Sequence, residues 1–356
     1  MLKHEGQKSE MTADKDDRTD DYIESIPMNV RNVCSQMRFH MKRLKEWVSG
    51  HRSIRIDAST VCQLRCPICP TADGSNRRGV IGWGFLKFED FKRTIEANTG
   101  VRKVELSNWG EIFLNPQIKD IVRFAHERKI TLSASNGSNF NTVDDETIES
   151  LVKYGFSFLS ISIDGASNET YQIYRREGNF DTVVGNIKKI NYYKKQYHTD
   201  LPRLRWQFVV FGHNEHDIES ARRKAGELGM EFYPKLNYDP VYSPVQDIEA
   251  VRMASGLRYV SRQEFRQKKN REYVVPCKQL WFSPQINWDG KLLGCCMNVW
   301  SDFGNVFDAG LETCLKSERY VYTKKLLRGK VKAREDIPCT KCTIFLSAKG
   351  PVSDMF

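Results

Sequence analysis

At 356 residues the chain can bury a large core and hold one main domain with an appendage. Charged residues make up 28% and hydrophobic ones 40%, and no apolar run approaches the ~20 residues that span a bilayer, which excludes a helical membrane span. The net charge of +10 favours anionic partners, but no recognised nucleic-acid motif accompanies it, so nucleic acid is not the expected one.

The first residues, 1–7, are polar and lack the apolar stretch of a secretory signal, so the expected location is the cytoplasm. In a reducing compartment the ten cysteines suit metal ligation better than disulfides. Charge is uneven. Residues 1–26 hold eight acids and four bases, residues 31–55 seven bases and one acid, and the runs 258–271 and 316–334 are again basic. Such runs are solvated helix faces, or surfaces that attract an anionic substrate such as a nucleotide-linked sugar or an acidic peptide. Residues 1–21 have the composition of a disordered segment. Val30, Val33, Met37, Met41, Leu44 and Val48 recur at helical spacing, which predicts a basic amphipathic helix over 27–48 that packs on the main domain or meets a partner.

A strand-like run at 54–57 leads into Cys62-Gln63-Leu64-Arg65-Cys66-Pro67-Ile68-Cys69-Pro70. Three thiolates at C-x3-C-x2-C spacing can hold one face of a cubane iron–sulfur cluster, which proteins otherwise close with a fourth cysteine. None follows until Cys277, so one iron is left open to bind and activate a small molecule. The same thiolates also suit zinc, with His51 or His126 as fourth ligand. The Gly-rich loop 71–84, with Arg77 and Arg78, does not match a G-x-x-x-x-G-K phosphate loop; it reads as a surface connection, or else as a lid.

Strand and helix patterns then alternate. Strands are predicted at 103–107, 130–135, 156–163, 204–211 and 230–236, with helices at 88–97, 118–128, 145–153, 182–193 and 217–228. Asp144 is placed to cap one helix, and Gly155 and Gly229 suit left-handed positions after two others. Alternation of this kind predicts parallel strands with reacting groups on the loops after them. Those strand ends read Asn108-Trp109-Gly110-Glu111, then Ser135-Asn136-Gly137, then Ser160-Ile161-Ser162-Ile163-Asp164. Ser160, Ser162 and Asp164 share one face by alternation and suggest a polar cavity.

The late cysteines are Cys277, Cys295, Cys296, Cys339 and Cys342. Asp289-Gly290 is a hairpin-turn signal that would bring Cys277 and Cys295 toward each other. Cys277, one of Cys295 and Cys296, Cys339 and Cys342 supply four thiolates for an iron–sulfur cluster or a structural zinc. The cysteine left over is a buried core residue or a reactive thiol, and Cys34 and Cys314 read as core residues.

These motifs jointly resemble the radical S-adenosylmethionine (AdoMet) superfamily across most of the chain, with a C-terminal region similar to a truncated SPASM or twitch extension. The resemblance implies an α/β fold: a partial (β/α)6 TIM barrel, open on one side, with a small cysteine-rich α+β extension. It divides the chain into an N-terminal segment (1–50), a core barrel (51–240), a linking segment (241–276) and an iron–sulfur domain (277–356). It implies that Cys62, Cys66 and Cys69 hold a [4Fe–4S] cluster whose open iron chelates AdoMet, and that reduction releases a 5'-deoxyadenosyl radical. Relatives carry Gly-Gly-Glu where this chain has Trp109-Gly110-Glu111, which makes Glu111 the contact for the methionine ammonium. Ser135 and Asn136 stand where relatives have Thr-Asn-Gly, and Ser162 near the methionine carboxylate or ribose. Asp164 and residues 171–175 fit an S-x-D-G…Y…R pattern, with Arg175 or Arg176 meeting a carboxylate or lying on the surface. Ile68 is set against adenine, and Asn214 is also common in the family.

In the extension, Cys277, Cys295, Cys339 and Cys342 would hold an auxiliary [4Fe–4S] cluster that accepts an electron, binds substrate or braces the fold. Cys296 would then be a hydrogen-atom donor, as in epimerising relatives. An external donor of the flavodoxin or ferredoxin class and a peptide, sugar or nucleotide-sugar substrate complete the expectation. The competing reading is a non-catalytic zinc protein that binds nucleic acid through its basic runs.

Overall fold

The computed structural model describes residues 52–348 and 350–352. The expected disordered segment 1–21, the helix over 27–48 with Cys34, and His51 lie outside the described residues. Six parallel strands run in sequence order along one sheet: β1 (Arg52–Ile56), β2 (Val101–Glu105), β3 (Thr131–Ser138), β4 (Phe158–Ser162), β5 (Arg203–Val209) and β6 (Glu231–Lys235). Helices lie between them: α1 (Phe88–Ala97), α2 (Ile118–Glu127), α3 (Asp145–Lys153), α4 (Asn168–Tyr174), α5 (Phe180–Gln196) and α6 (Ile218–Glu227). The short α4 was not anticipated; its seven residues are too few for a clear apolar period.

The helices form where apolar residues recur at helical spacing. In α2, Ile118, Ile121, Val122, Phe124 and Ala125 are buried, and Phe124 meets Phe88 and Phe91 edge-on at 5.8 and 6.2 Å. The Ile, Val and Phe side chains among these each contribute about 1.5–3 kcal/mol on burial. Asp144 caps α3, its carboxylate accepting from the Thr147 amide at 2.7 Å, and Gly155 and Gly229 take φ of 64° and 67°.

Two more strands extend the sheet past β1. After α7 (Ile248–Ser255), α8 (Arg262–Lys269) and α9 (Gln279–Phe282), β7 (Gln285–Ile286) pairs parallel with β1, and β8 (Leu292–Gly294) returns antiparallel to β7. The Asp289-Gly290 turn forms as the sequence indicates, with Gly290 at φ 88°. The cysteine-bearing hairpin is therefore hydrogen-bonded into the barrel sheet itself.

The loop 71–84 is more than a surface connection. The Ile81 carbonyl accepts from Asn287 Nδ2 at 2.8 Å and Trp288 Nε1 at 2.9 Å, and a Cβ on Gly84 would stand 2.5 Å from the Trp288 ring. It clasps the C-terminal hairpin, an interaction between segments about two hundred residues apart that local pattern does not reveal.

Candidate active site

The C-terminal ends of β3 to β6 and loops after β1, β2, β4 and β6 line a cavity of about 330 Å³. Cys62, Cys66 and Cys69 line it together with Gly110, Glu111, Asn136, Ser162 and Arg175. Residues drawn from four strand ends thus converge, as parallel βα units require. The cysteine loop is fixed from below. Asn115 Nδ2 donates to the Ala58 and Leu86 carbonyls at 2.7 and 2.9 Å, and the Gly110 and Glu111 amides donate to Ser59 and Val61. Gly110 allows this approach, because a Cβ there would lie 2.6 Å from both the Ser59 and Val61 carbonyl oxygens. Gly110→Ala is expected to cost about 1–3 kcal/mol of stability. Thermal unfolding checks the cost, and faster alkylation of Cys62 and Cys66 checks the loop displacement.

Glu111 is fully buried. Its carboxylate accepts from Ser138 Oγ at 2.8 Å, the Phe113 amide at 3.2 Å and the Asn139 amide. Burial still holds its pKa above the ordinary carboxylate range, so a cation brought beside it would be stabilised. Asp164, also buried, accepts from Arg175 Nε at 2.6 Å and from the Val209 amide at 2.7 Å. It orients the arginine and does not line the cavity. Ser162 lines it and accepts from Gln207 Nε2 at 3.2 Å. A Cβ on Gly137 would come 2.4 Å from the Ser162 oxygen.

Ser135 and Ile68 are placed elsewhere. The Ser135 hydroxyl donates to Glu105 at 2.7 Å, and Ile68 packs on a small cluster with Leu64, Cys66, Tyr174 and Phe211. Asn214 braces the ends of β4 and β5, donating to the Asp164 and Val209 carbonyls at 3.1 and 3.0 Å. His126, weighed as a metal ligand, lies on α2 with Nδ1 at 3.0 Å from the Tyr154 carbonyl, away from the cavity.

Several cavity residues were missed in the sequence. Asn139 Nδ2 lies 3.6 Å from Cys62 Sγ, and Gln207 links Ser162 to Lys235. Alternation along β5 and β6 could have pointed to Gln207 and Lys235, as it did to Ser162 on β4. Arg262 arrives from outside the strand ends and had no such signal.

Burial pushes the Cys62 and Cys66 thiols up to about 12 and about 11. Thiolates here therefore need a cationic partner. Among the described residues no three His, Cys, Asp or Glu side chains are arranged around a single metal ion. A cubane face, in contrast, takes thiolates several ångströms apart, and three cysteines on one cavity wall suit it.

A second, apolar pocket is lined by Cys277, Cys295, Cys339 and Cys342. Burial pushes Cys277 up to about 12 and Cys295 and Cys339 well above the ordinary range. Four soft, mutually repelling sulfur donors around one apolar pocket fit an iron–sulfur cluster. Cys296 lines neither pocket. Its amide donates to Gln279 Oε1 at 2.7 Å, its carbonyl accepts from the cavity residue Asn108 at 3.3 Å, and the charges of Arg55 and Asp57 act on its thiol. Cys314 is a buried core residue.

Asp57 is fully buried, and neither carboxylate oxygen has a hydrogen-bond partner. Burial raises its pKa well above the ordinary value, and Arg55 offsets this only in part. A raised folded-state pKa means that Asp57 destabilises the fold increasingly as pH rises from its unfolded value toward its folded one. Asp57→Asn is expected to gain stability over the native protein by about 1.4 kcal/mol per pH unit in that interval. Chemical unfolding at several pH values checks the slope.

Comparison with known proteins fits this architecture. The radical SAM superfamily model matches residues 56–224, and the SPASM model, described as an iron–sulfur cluster-binding domain, matches residues 277–343. The chain carries a radical SAM domain and a SPASM domain, and these support a [4Fe–4S] cluster with AdoMet and an auxiliary iron–sulfur cluster as its cofactors. The zinc reading of the cysteines gives way to this. Among curated proteins it is similar to the AdoMet-dependent heme synthase of Methanosarcina barkeri, at 26% identity over 185 residues. That match takes in 51% of this chain and about half, 49%, of the relative.

Among solved structures, Streptococcus suis SuiB bound to S-adenosylmethionine has a TM-score of 0.58 at 15% identity, covering 92% of this chain and 82% of that one. Native anSMEcpe with bound AdoMet gives 0.52 at 16%, covering 82% of this chain and 87% of that one. At these identities the likeness concerns the fold, an α/β parallel sheet closing as a partial barrel. No helix among the described residues is long and apolar enough to cross a membrane.

Proposed function

We propose that the protein cleaves AdoMet reductively and abstracts hydrogen from a second substrate, with oxidation, epimerisation or maturation as the outcome. The observation that carries this reading is the convergence of Cys62, Cys66 and Cys69 with Glu111, Ser162 and Arg175 on one cavity. Cys62, Cys66 and Cys69 hold the cluster. Glu111 receives the methionine ammonium as a charge-assisted hydrogen bond that offsets its burial. Gly110 keeps the cysteine loop and Glu111 in contact, Ser162 and Asn136 offer polar contacts on the far wall, and Arg175, oriented by Asp164, faces a carboxylate. Ser135 and Ile68 support the wall from outside it. When bound, the cluster and AdoMet supply a 5'-deoxyadenosyl radical; the protein supplies position and exclusion of water.

In the SPASM domain, Cys277, Cys295, Cys339 and Cys342 hold the auxiliary cluster, leaving Cys296 unligated to give a hydrogen atom to the substrate radical, its thiyl radical then returning to the thiol with an electron from the external donor and a proton. The domain division of a core barrel over 51–240, a linking segment over 241–276 and an iron–sulfur domain over 277–356 serves this arrangement. The electron comes from an external donor of the flavodoxin or ferredoxin class, and the setting is cytoplasmic, where thiolates stay reduced. The substrate is a peptide or a sugar or nucleotide sugar. SuiB and anSMEcpe have both been solved with peptides bound, which supports the peptide option through likeness of fold.

The test is anaerobic reconstitution with iron and sulfide, reduction, and assay for 5'-deoxyadenosine with candidate peptides and nucleotide sugars. Substrate-stimulated 5'-deoxyadenosine is the expected result. Zinc in place of iron and sulfide after anaerobic purification would defeat the reading.

A further inference from the structure

Lys235 and Arg262 stand on the wall of the same cavity. Lys235 ends β6, the edge strand of the sheet, and Arg262 opens α8. The two are held in fixed relation. Asn237, two residues past Lys235, bridges to Ser261, and the Arg262 amide donates to the Asn237 carbonyl at 2.8 Å. The Arg262 guanidinium lies over the rings of Tyr238 and Tyr273, at 5.6 and 5.9 Å.

Neither cation has a carboxylate partner among the described residues. The Lys235 ammonium donates to Gln207 Oε1 at 3.3 Å, and the buried Nε of Arg262 has no hydrogen-bond partner. Arg175, the third cation on this wall, is paired with Asp164. Asp164 acts on Lys235 and Glu272 on Arg262 only from beyond ion-pair distance, so the two cations face one cavity without a paired carboxylate, and an anion between them would relieve both desolvation and mutual repulsion. The electrostatics agree: burial, then Arg262, lowers the Lys235 pKa to about 8, and burial lowers that of Arg262.

We infer that Lys235 and Arg262 form a subsite for a carboxylate or phosphate group of the second substrate, with the Tyr238 ring as an adjoining platform. The inference rests on the reading of this cavity as the AdoMet site and names the chemistry of what enters beside AdoMet. The carboxylate of AdoMet itself is the other source of the same chemistry, and the experiment separates the two.

The anaerobically reconstituted, AdoMet-loaded protein is treated with an amine-reactive reagent, with and without inorganic phosphate or succinate, and labelling of Lys235 is read by mass spectrometry. At least about fivefold protection is expected from one of the two anions with AdoMet already in place. Lys235→Gln and Arg262→Gln should each weaken binding of that anion at least about tenfold, with AdoMet affinity by equilibrium dialysis changing less than about twofold. Lys235→Arg should retain anion binding. A tenfold loss of AdoMet affinity in the two Gln variants would assign the pair to AdoMet and overturn the inference. So would absence of protection by either anion at tens of millimolar while AdoMet still binds. If a Gln variant does not fold, labelling of the native protein decides. Failure of the native protein to bind AdoMet at all would instead remove the reading on which the subsite rests.

Discussion

Cys69→Ala is expected to abolish AdoMet cleavage, with 5'-deoxyadenosine formation falling at least about a thousandfold in reconstituted protein, because a cluster with an already open iron has no ligand to spare. The structure makes compensation hard. Cys69 lies in a loop pinned by the Cys69 amide to the Cys66 carbonyl at 3.2 Å and by the Ala72 and Asp73 amides to the Cys69 carbonyl. His126 is held at Tyr154, and among the described residues no histidine lines the cavity. The SPASM cluster should survive, because the four cysteines proposed for it line a separate pocket. The measurement is iron content with EPR: loss of the site cluster signal beside a retained auxiliary signal. Undiminished 5'-deoxyadenosine from a protein lacking the site cluster would remove the mechanism.

The second large effect separates two adjacent residues. Cys295→Ala should lose the auxiliary cluster, lowering iron from about eight to about four per chain, and should destabilise the C-terminal hairpin. Cys295 lines the four-thiol pocket, and β8, which leads into it, is part of the main sheet through β7. Cys296→Ala should keep both clusters and AdoMet cleavage, since that residue lines neither pocket. If Cys296 donates a hydrogen atom to a substrate radical, its alanine variant consumes AdoMet but no longer returns solvent-derived hydrogen to the product. Deuterium incorporation from heavy water reads this directly. Retained iron in Cys295→Ala with loss in Cys296→Ala would reverse the ligand assignment.

Much of this was legible along the chain. The C-x3-C-x2-C loop, Glu111, the Ser162–Asp164 strand end and the late cysteines are short local patterns, and the strand–helix alternation predicted the parallel sheet. Such features survive in one dimension because the chemistry fixes spacing, and alternation on a strand fixes direction. Tertiary structure decided the rest. It turned Ser135 toward Glu105 and set Asp164 to orient Arg175, because a strand residue's partners lie on neighbouring strands. It chose Cys295 over Cys296 for the four-thiol pocket, a choice between adjacent residues that spacing cannot make. It also brought Lys235 and Arg262 to one wall, through the bridge of Asn237 with Ser261. Which groups share a cavity depends on how distant segments close on one another, and that follows from packing and strand pairing over the whole sheet.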